Sequence, residues 1–376
     1  MRSRWTHLRR DERGMSLVWL GMGFMAFFAA STLAIDVGMF MTARSQAQNA
    51  ADAGALAGAT SLAFNNYDDR SPGGPAVSSA ITTAKENLVV GGAVDVLTGD
   101  VTFPLGPTGL NNRVKVNVFR TSNRNNPVAT LIGPVFGVQT VDIGATATAE
   151  ASPANAATCV KPFTVPARWQ ENSVPPNDTF DRYDNKGNIL PNADVYPPPN
   201  GVVTWPVGTY KTLRAGTGNN IESSFYFSWK MPGGDIGGDY YRENIYECNN
   251  AVFTPGAEMI QEPGNKVGET NQGIDLLKAE DLSAQWDGTN NRVINSNKNP
   301  SPRVFPIPLY DPEFLQYNVT HGRNASLKMV GWVPFFLVDR NGNNVYGYVT
   351  TMLGVIDPNA GPAPAGSLLY AIRLVQ

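Results

Sequence analysis

The stretch from Met15 to Ile35 reads MSLVWLGMGFMAFFAASTLAI, 21 residues without a charged side chain. As a helix rising 1.5 Å per residue it spans roughly 30 Å, the thickness of a bilayer's hydrocarbon core. Five arginines (Arg2, Arg4, Arg9, Arg10 and Arg13) precede it, offset by Asp11 and Glu12, whereas the far side opens with Asp36 and has no basic residue before Arg44. Positive charge resists translocation, so residues 1–14 are expected in the cytoplasm and everything beyond Asp36 on the other side. A cleaved signal peptide is the rival reading. Its apolar region is about 7–15 residues long, and this run is longer, so a retained anchor in the lipid bilayer is expected over 15–35.

The helical pattern continues past the apolar run. Between Asp36 and Phe64 there is no proline and alanine dominates, the composition of a strong helix former. Ala43, Ala47, Ala50, Gly54, Ala57 and Gly58 recur at spacings of three and four, which places them on one face of a stem helix over 36–64. Such a smooth face lets a second helix approach closely. Two readings fit it: a stem packed on its own domain, or a seam of Ala47, Ala50, Gly54, Ala57 and Gly58 for lateral assembly with other membrane subunits. Spacing alone does not choose between them.

Several motifs here resemble a known family in the right order: Arg13-Gly14 before the span, Ala34-Ile35-Asp36-Val37-Gly38 at its end, Ala47-Gln48-Asn49-Ala50-Ala51-Asp52-Ala53, and Ala55-Leu56-Ala57-Gly58-Ala59. They are similar to the N-terminal region of TadG-like proteins, of the TadE/TadG family of Flp (Tad) pilus assembly. The resemblance implies a bacterial inner-membrane protein whose partners are other Tad assembly proteins or pilus subunits. Prepilins of that system carry Gly followed five residues on by Glu. Here Gly14 is followed at that distance by Trp19, so prepilin cleavage is not carried over. The metal-binding Asp-x-Ser-x-Ser of a von Willebrand factor A domain is missing, so that function is not carried over either.

Beyond the stem, residues 65–77 (NNYDDRSPGGP with Ala76 and Val77) form a polar linker. A small α+β unit is expected over 78–151. It has a helix over 78–89, strands over 93–103 and 113–120, a short helix over 127–136 and a strand over 138–151, judged from apolar periodicities near 3.6 and 2. Residues 152–158 are expected to link this unit to a β-rich domain over 159–376. That domain should hold strands near 224–230, 303–308, 327–338, 345–352 and 368–374, and a helix over 272–286. Asn341-Gly342 between two apolar runs signals a hairpin. Pieces such as Cys159…Pro162, Gln272-Gly273-Ile274 and Tyr310-Asp311-Pro312 also resemble the C-terminal region of TadG-like proteins without the A domain. The fold class is thus α+β, with a transmembrane helix extended into an Ala-rich stem.

Net charge is −3, and the Arg-rich tail is explained by membrane orientation, so no nucleic-acid partner is expected. The two cysteines, Cys159 and Cys248, both fall on the expected exterior side, where the simplest state is a disulfide between them. Their spacing suits neither a zinc site nor a C-x-x-C redox pair. The two histidines, His7 and His321, fall on opposite sides of the span. No Gly-x-Ser-x-Gly elbow accompanies His321. The run Asp178–Asn188 has oxygen side chains around Gly187 but misses the EF-hand register, which makes an Asn/Gly turn the better reading. Met231–Asp239 is glycine-rich yet lacks the Gly-Lys-Ser/Thr of a phosphate loop. These residues predict no catalytic, metal or cofactor site, and a protein that works by protein–protein contact. The alternatives are an anchored adhesin or carbohydrate-binding module using Tyr226, Trp229, Tyr240 and Tyr241 and, last, a hydrolase.

Overall fold

The computed structural model describes residues 13–375 apart from 65–69, 107–108, 217, 234–236, 263, 265, 299 and 324–325. Residues 1–12 of the expected cytoplasmic tail and most of the 65–77 linker's first half lie outside the described residues. Helix α1, Arg13–Phe64, is one uninterrupted helix of 52 residues, about 78 Å long at the standard rise. The apolar run and the alanine-rich stem are therefore a single rod.

The unit around the stem contains α2 (Pro75–Glu86), β1 (Val101–Thr102), β2 (Arg113–Arg120), β3 (Val128–Ala129), β4 (Thr140–Val141) and β5 (Ile143–Pro153). Pro75 starts α2 three residues before the expected helix, because proline at the first turn lacks only an N–H that has no helical partner anyway. In β2 buried and half-buried positions alternate along the whole strand, as the sequence RVKVNVFR predicts. Two expectations fail here. Residues 93–103 are largely irregular, because the Asp100 carboxylate accepts the Leu97 N–H at 2.8 Å and turns the chain before β1. The helix over 127–136 is replaced by β3 and a 3-10 turn, Gly133–Phe136; Pro134 and the glycines on either side of Pro134–Phe136 do not sustain an α-helix.

The second unit opens with β6 (Phe163–Pro166), β7 (Tyr210–Ala215), β8 (Phe225–Ser228), α3 (Gly238–Tyr246), β9 (Glu258–Met259) and α4 (Val267–Ala279). It continues with β10 (Gln285–Asp287), β11 (Arg292–Ile294), β12 (Val304–Tyr310), α5 (Pro312–Thr320), β13 (Leu327–Asn341) and β14 (Asn344–Val349). Its strands run β12-β6-β8-β7-β14-β13, and β13 pairs again with β12, which closes a six-stranded barrel. Closure leaves no free sheet edge among these six strands. Phe163, Val165, Phe305, Ile307, Val333 and Phe335 share its core with Ile245 of α3 and Ile274 of α4. The hairpin at Asn341–Asn344 is present, with Gly342 at φ +58°. Helix α4 begins and ends earlier than expected. Past it the guanidinium of buried Arg303 takes the carbonyls of Asp281 and Ala284, holding a non-helical course into β10.

The last strands, β15 (Met352–Leu353) and β16 (Leu369–Val375), do not join the barrel. They extend the stem sheet to the order β1-β2-β5-β16-β15. Instead of a free linker, 154–157 are buried, and the Asn155 amide donates to the carbonyls of Asp357 and Gly361. The division at residues 152–158 is thus crossed by the returning C-terminal strand. Glu150 on β5 fastens it, accepting from Arg113 of β2 at 2.8 Å and Arg373 of β16 at 3.3 Å. Burial pushes the Glu150 carboxyl up, but bonds from Ser152, Arg113 and Arg373 outweigh it and hold it below its ordinary value.

Candidate functional site: the membrane helix and its collar

Along α1 the environment changes between Asp36 and Ala43. No residue described in the apolar 18-residue window of the helix is buried; Leu17, Trp19, Met25 and Phe27 are each more than 60% exposed. Among the described side chains of α1, Asp36 is the first buried position, and Ala43, Ala47, Ala50, Ala51, Ala55 and Ala59 follow it at near-zero exposure. The change follows from composition. Below Asp36 most of the large apolar side chains have nothing to pack on, and from Ala43 upward the packed positions are small enough for other elements to lie against the helix backbone.

That small-residue face is occupied by the chain itself. A Cβ at Gly54 would lie 2.9 Å from the Ala80 carbonyl oxygen and 2.9 Å from Ala84 Cβ, both on α2. One at Gly58 would lie 2.8 Å from Val114 Cγ1 of β2 and 3.1 Å from Ala80 Cβ. Ala47 and Ala50 belong to the same core as Val114, Val116 and Val118. Of the two readings of Ala47, Ala50, Gly54, Ala57 and Gly58, these contacts are those of a stem packed on its own domain. The face is the seat of α2 and β2, and a face so filled has no room for a further helix. Ala57, half-buried, lines a polar cleft of about 440 Å³ with Thr60, Thr83, Lys298, Ser301 and Thr350, where the stem meets the barrel.

Asp36 escaped the sequence reading as a functional residue, although a lone carboxylate closing an apolar run was a visible signal. Its Oδ1 accepts the backbone N–H groups of Leu131 at 3.1 Å and Ile132 at 3.3 Å, so it ties a remote loop to the helix where the apolar run ends.

Cys159 and Cys248 are bonded, with Cα atoms 4.3 Å apart, and close a sequence separation of 89 residues. Beside the bond, Lys161 is 3% exposed and donates to the Glu247 carbonyl at 3.0 Å. Burial pulls its pKa down to about 7, against a weaker upward pull from Glu280.

The remaining candidates resolve into structural roles. Tyr226, Trp229 and Tyr241 are core residues, which corrects their reading as a binding cluster; Tyr240 donates to the Pro232 carbonyl at 2.8 Å. The Asp184 carboxylate is taken by the N–H groups of Lys186 and Asn188, each at 2.8 Å, so this run is an Asx-type turn. Backbone bonds of the turn and the Asn188 amide hold Asp184 below the usual carboxylate range. His321 follows the last turn of α5, stacked 4.0 Å from the Tyr317 ring. Part of the glycine-rich run, 234–236, lies outside the described residues, and α3 starts at Gly238.

An uncovered apolar helix long enough to cross a bilayer, continuous with a folded domain, is the form of a single-pass membrane anchor. Residues 14–61 match the family model described as putative Flp pilus-assembly TadE/G-like, so the N-terminal region is TadE/TadG-like. That family is one of pilus assembly, not a known enzyme family. The match covers the anchor and most of the stem and stops short of α2 and the barrel. No curated protein and no solved structure matches the chain.

Proposed function

We propose that the protein is a non-enzymatic, single-pass component of a bacterial Flp (Tad) pilus assembly system. Its N terminus lies in the cytoplasm and its bulk in the periplasm, where it binds other assembly proteins or pilus subunits. What carries this reading is the continuity of α1: the TadE/G-like segment straddles the point at which a bare apolar helix becomes the core helix of a domain. Such a rod fixes the domain's height and orientation above a membrane, which suits a part in an envelope machine. The arginines before the span support the orientation. With Tyr226, Trp229 and Tyr241 in the core, the adhesin reading loses the residues that prompted it.

The test joins topology to phenotype. A reporter active only in the periplasm, fused after Gln376, is expected to be active, and deletion of the gene is expected to abolish piliation. The full chain should restore piliation, and a chain lacking 14–35 should not. Activity from a cytoplasm-only reporter at Gln376 overturns the orientation, and normal piliation after deletion overturns the role.

A further inference from the structure

The loop held by Asp36 is unlike the rest of the stem unit. β3 and β4 pair as a narrow antiparallel ribbon, Val128 opposite Val141 and Ala129 opposite Thr140. The ribbon is continued by the Thr130 N–H bonded to the Gln139 carbonyl at 3.0 Å. Its tip is ordered: the Thr130 hydroxyl donates to the Val138 carbonyl at 2.6 Å, and Gly137 at φ +84° closes the 3-10 turn. Yet the tip buries little of what it carries. Leu131, Val135, Phe136 and Val138 are 69%, 78%, 60% and 49% exposed. No charged residue occurs from Asn125 to Val141. A fixed, uncharged loop presenting four large apolar side chains is costly in water and needs a partner.

The position of the loop identifies that partner. Farther up, Thr146 of β5 lies beside helix residue Gln48, whose amide donates to its carbonyl. The ribbon then descends the helix to Asp36, 12 residues lower, about 18 Å at the helical rise. There Leu131 and Ile132 meet the residue immediately beyond the apolar run. The exposed tip therefore sits beside α1 at Asp36, where the apolar run ends.

We propose that residues 131–138 are a second membrane contact: the tip of the β3–β4 ribbon rests in the interfacial zone of the leaflet from which α1 emerges, clamped there by Asp36. The inference rests on the reading of α1 as a bilayer-spanning anchor. Its ligand is the lipid surface, met by apolar side chains without charge pairing. Two contacts, the spanning helix and the tip beside it, prevent the domain from rolling freely about a single rod. Asp36 is a positioning residue in this device, supplying the acceptor for two N–H groups at the membrane edge.

The test uses the full chain in phosphatidylcholine/phosphatidylglycerol vesicles, with an environment-sensitive fluorophore on Phe136→Cys, on Phe27→Cys in the span, or on Leu282→Cys, which is 71% exposed on the barrel unit. The native cysteines are bonded to each other and stay unlabelled. Replacing the acyl chains by brominated ones is expected to quench the probes at 27 and 136 and to leave the probe at 282 unchanged. Bromine near the headgroup should quench position 136 more than bromine deep in the chain. Quenching at 27 without quenching at 136 overturns the loop contact while the anchor stands, and quenching at neither overturns the anchor itself. Shielding of 136 from aqueous iodide without lipid quenching assigns the tip to a protein partner and also overturns the proposal. In Asp36→Ala the probe at 136 is expected to lose its lipid quenching while that at 27 keeps it; unchanged quenching at 136 removes Asp36 from the device.

Discussion

The two halves of α1 share one backbone and differ in everything the backbone touches. From Leu17 to Ile35 the helix leaves its large apolar side chains exposed, and from Ala43 to Ala63 it presents mainly alanine and glycine to its own domain. Hydrophobicity alone does not separate them as buried and exposed; the more hydrophobic half is the one left uncovered. Side-chain volume does. The uncovered half carries the larger share of bulky apolar side chains, which suit a fluid apolar solvent, whereas a rigid protein partner needs small residues that allow close approach. The lower half has the length and apolar composition of a membrane span, and the upper half is packed.

The comparison is broken most severely by charge in the lower half. Arginine at the centre of a span costs about 2.5–3.5 kcal/mol on insertion scales. Met22→Arg combined with Phe27→Arg therefore opposes integration by roughly 5–7 kcal/mol if the two add. The expected outcome is loss of carbonate-resistant membrane protein with the Cys159–Cys248 bond still formed in any exported chain. Full integration of the double variant would mean that this half is not in contact with lipid.

Bulk in the upper half has the opposite signature. Gly54→Leu and Gly58→Leu each drive a side chain into atoms that a Cβ alone would meet at 2.9 and 2.8 Å. Overpacking of this kind costs about 1–3 kcal/mol per site. The pair is expected to lower the urea midpoint, or the amount of folded protein, while leaving membrane integration intact. Unchanged stability with reduced co-purification of partners would return this face to an assembly seam.

What could be read in the sequence follows the same division between local and distant. The span, the β2 alternation and the Asn341–Asn344 hairpin are local patterns, each set by neighbours within a few residues. The Cys159–Cys248 bond was legible by elimination, with only one pair to make. Barrel closure was not, because the β12–β13 and β6–β12 pairings depend on register between distant strands, and β12 is buried on both faces and shows no alternation. Nor was the return of β16 to the stem sheet, since LYAIRLV reads equally well as a strand of either unit. The small-residue face left two readings open for a physical reason: a helix face suited to a partner helix looks the same whether that helix is a neighbouring subunit or α2. Asp36 was missed because its partners are two backbone N–H groups 95 and 96 residues away, and backbone leaves no mark in the sequence.

The gentlest probe separates the stem sheet from the barrel by pH. Glu150 in the stem sheet is held below its ordinary value, so its contribution is present above the unfolded carboxylate pKa and lost as pH falls through the folded one. Lys161 in the barrel unit is pulled down to about 7. Between about pH 7 and its unfolded value near 10.4 the unfolded chain holds a proton there that the folded chain has released, so stability rises with pH across that window. One pKa unit is worth about 1.4 kcal/mol, so raising the pH from 7 to 9 should add roughly 2 kcal/mol from this group. Both groups make the protein more stable as pH rises, but in separate windows. Urea unfolding of the full chain in detergent should show an acidic limb that Glu150→Gln diminishes and an alkaline limb that Lys161→Met diminishes, the remainder coming from Lys211, which burial pulls down to about 8. Methionine fills a similar volume, and the Glu247 carbonyl that loses its donor shifts the curve by about 1 kcal/mol at every pH without changing its slope. An alkaline rise undiminished in Lys161→Met would mean that water reaches the Lys161 ammonium in the parent protein, and that the barrel is less tightly closed beside the Cys159–Cys248 bond than the buried geometry of Lys161 implies.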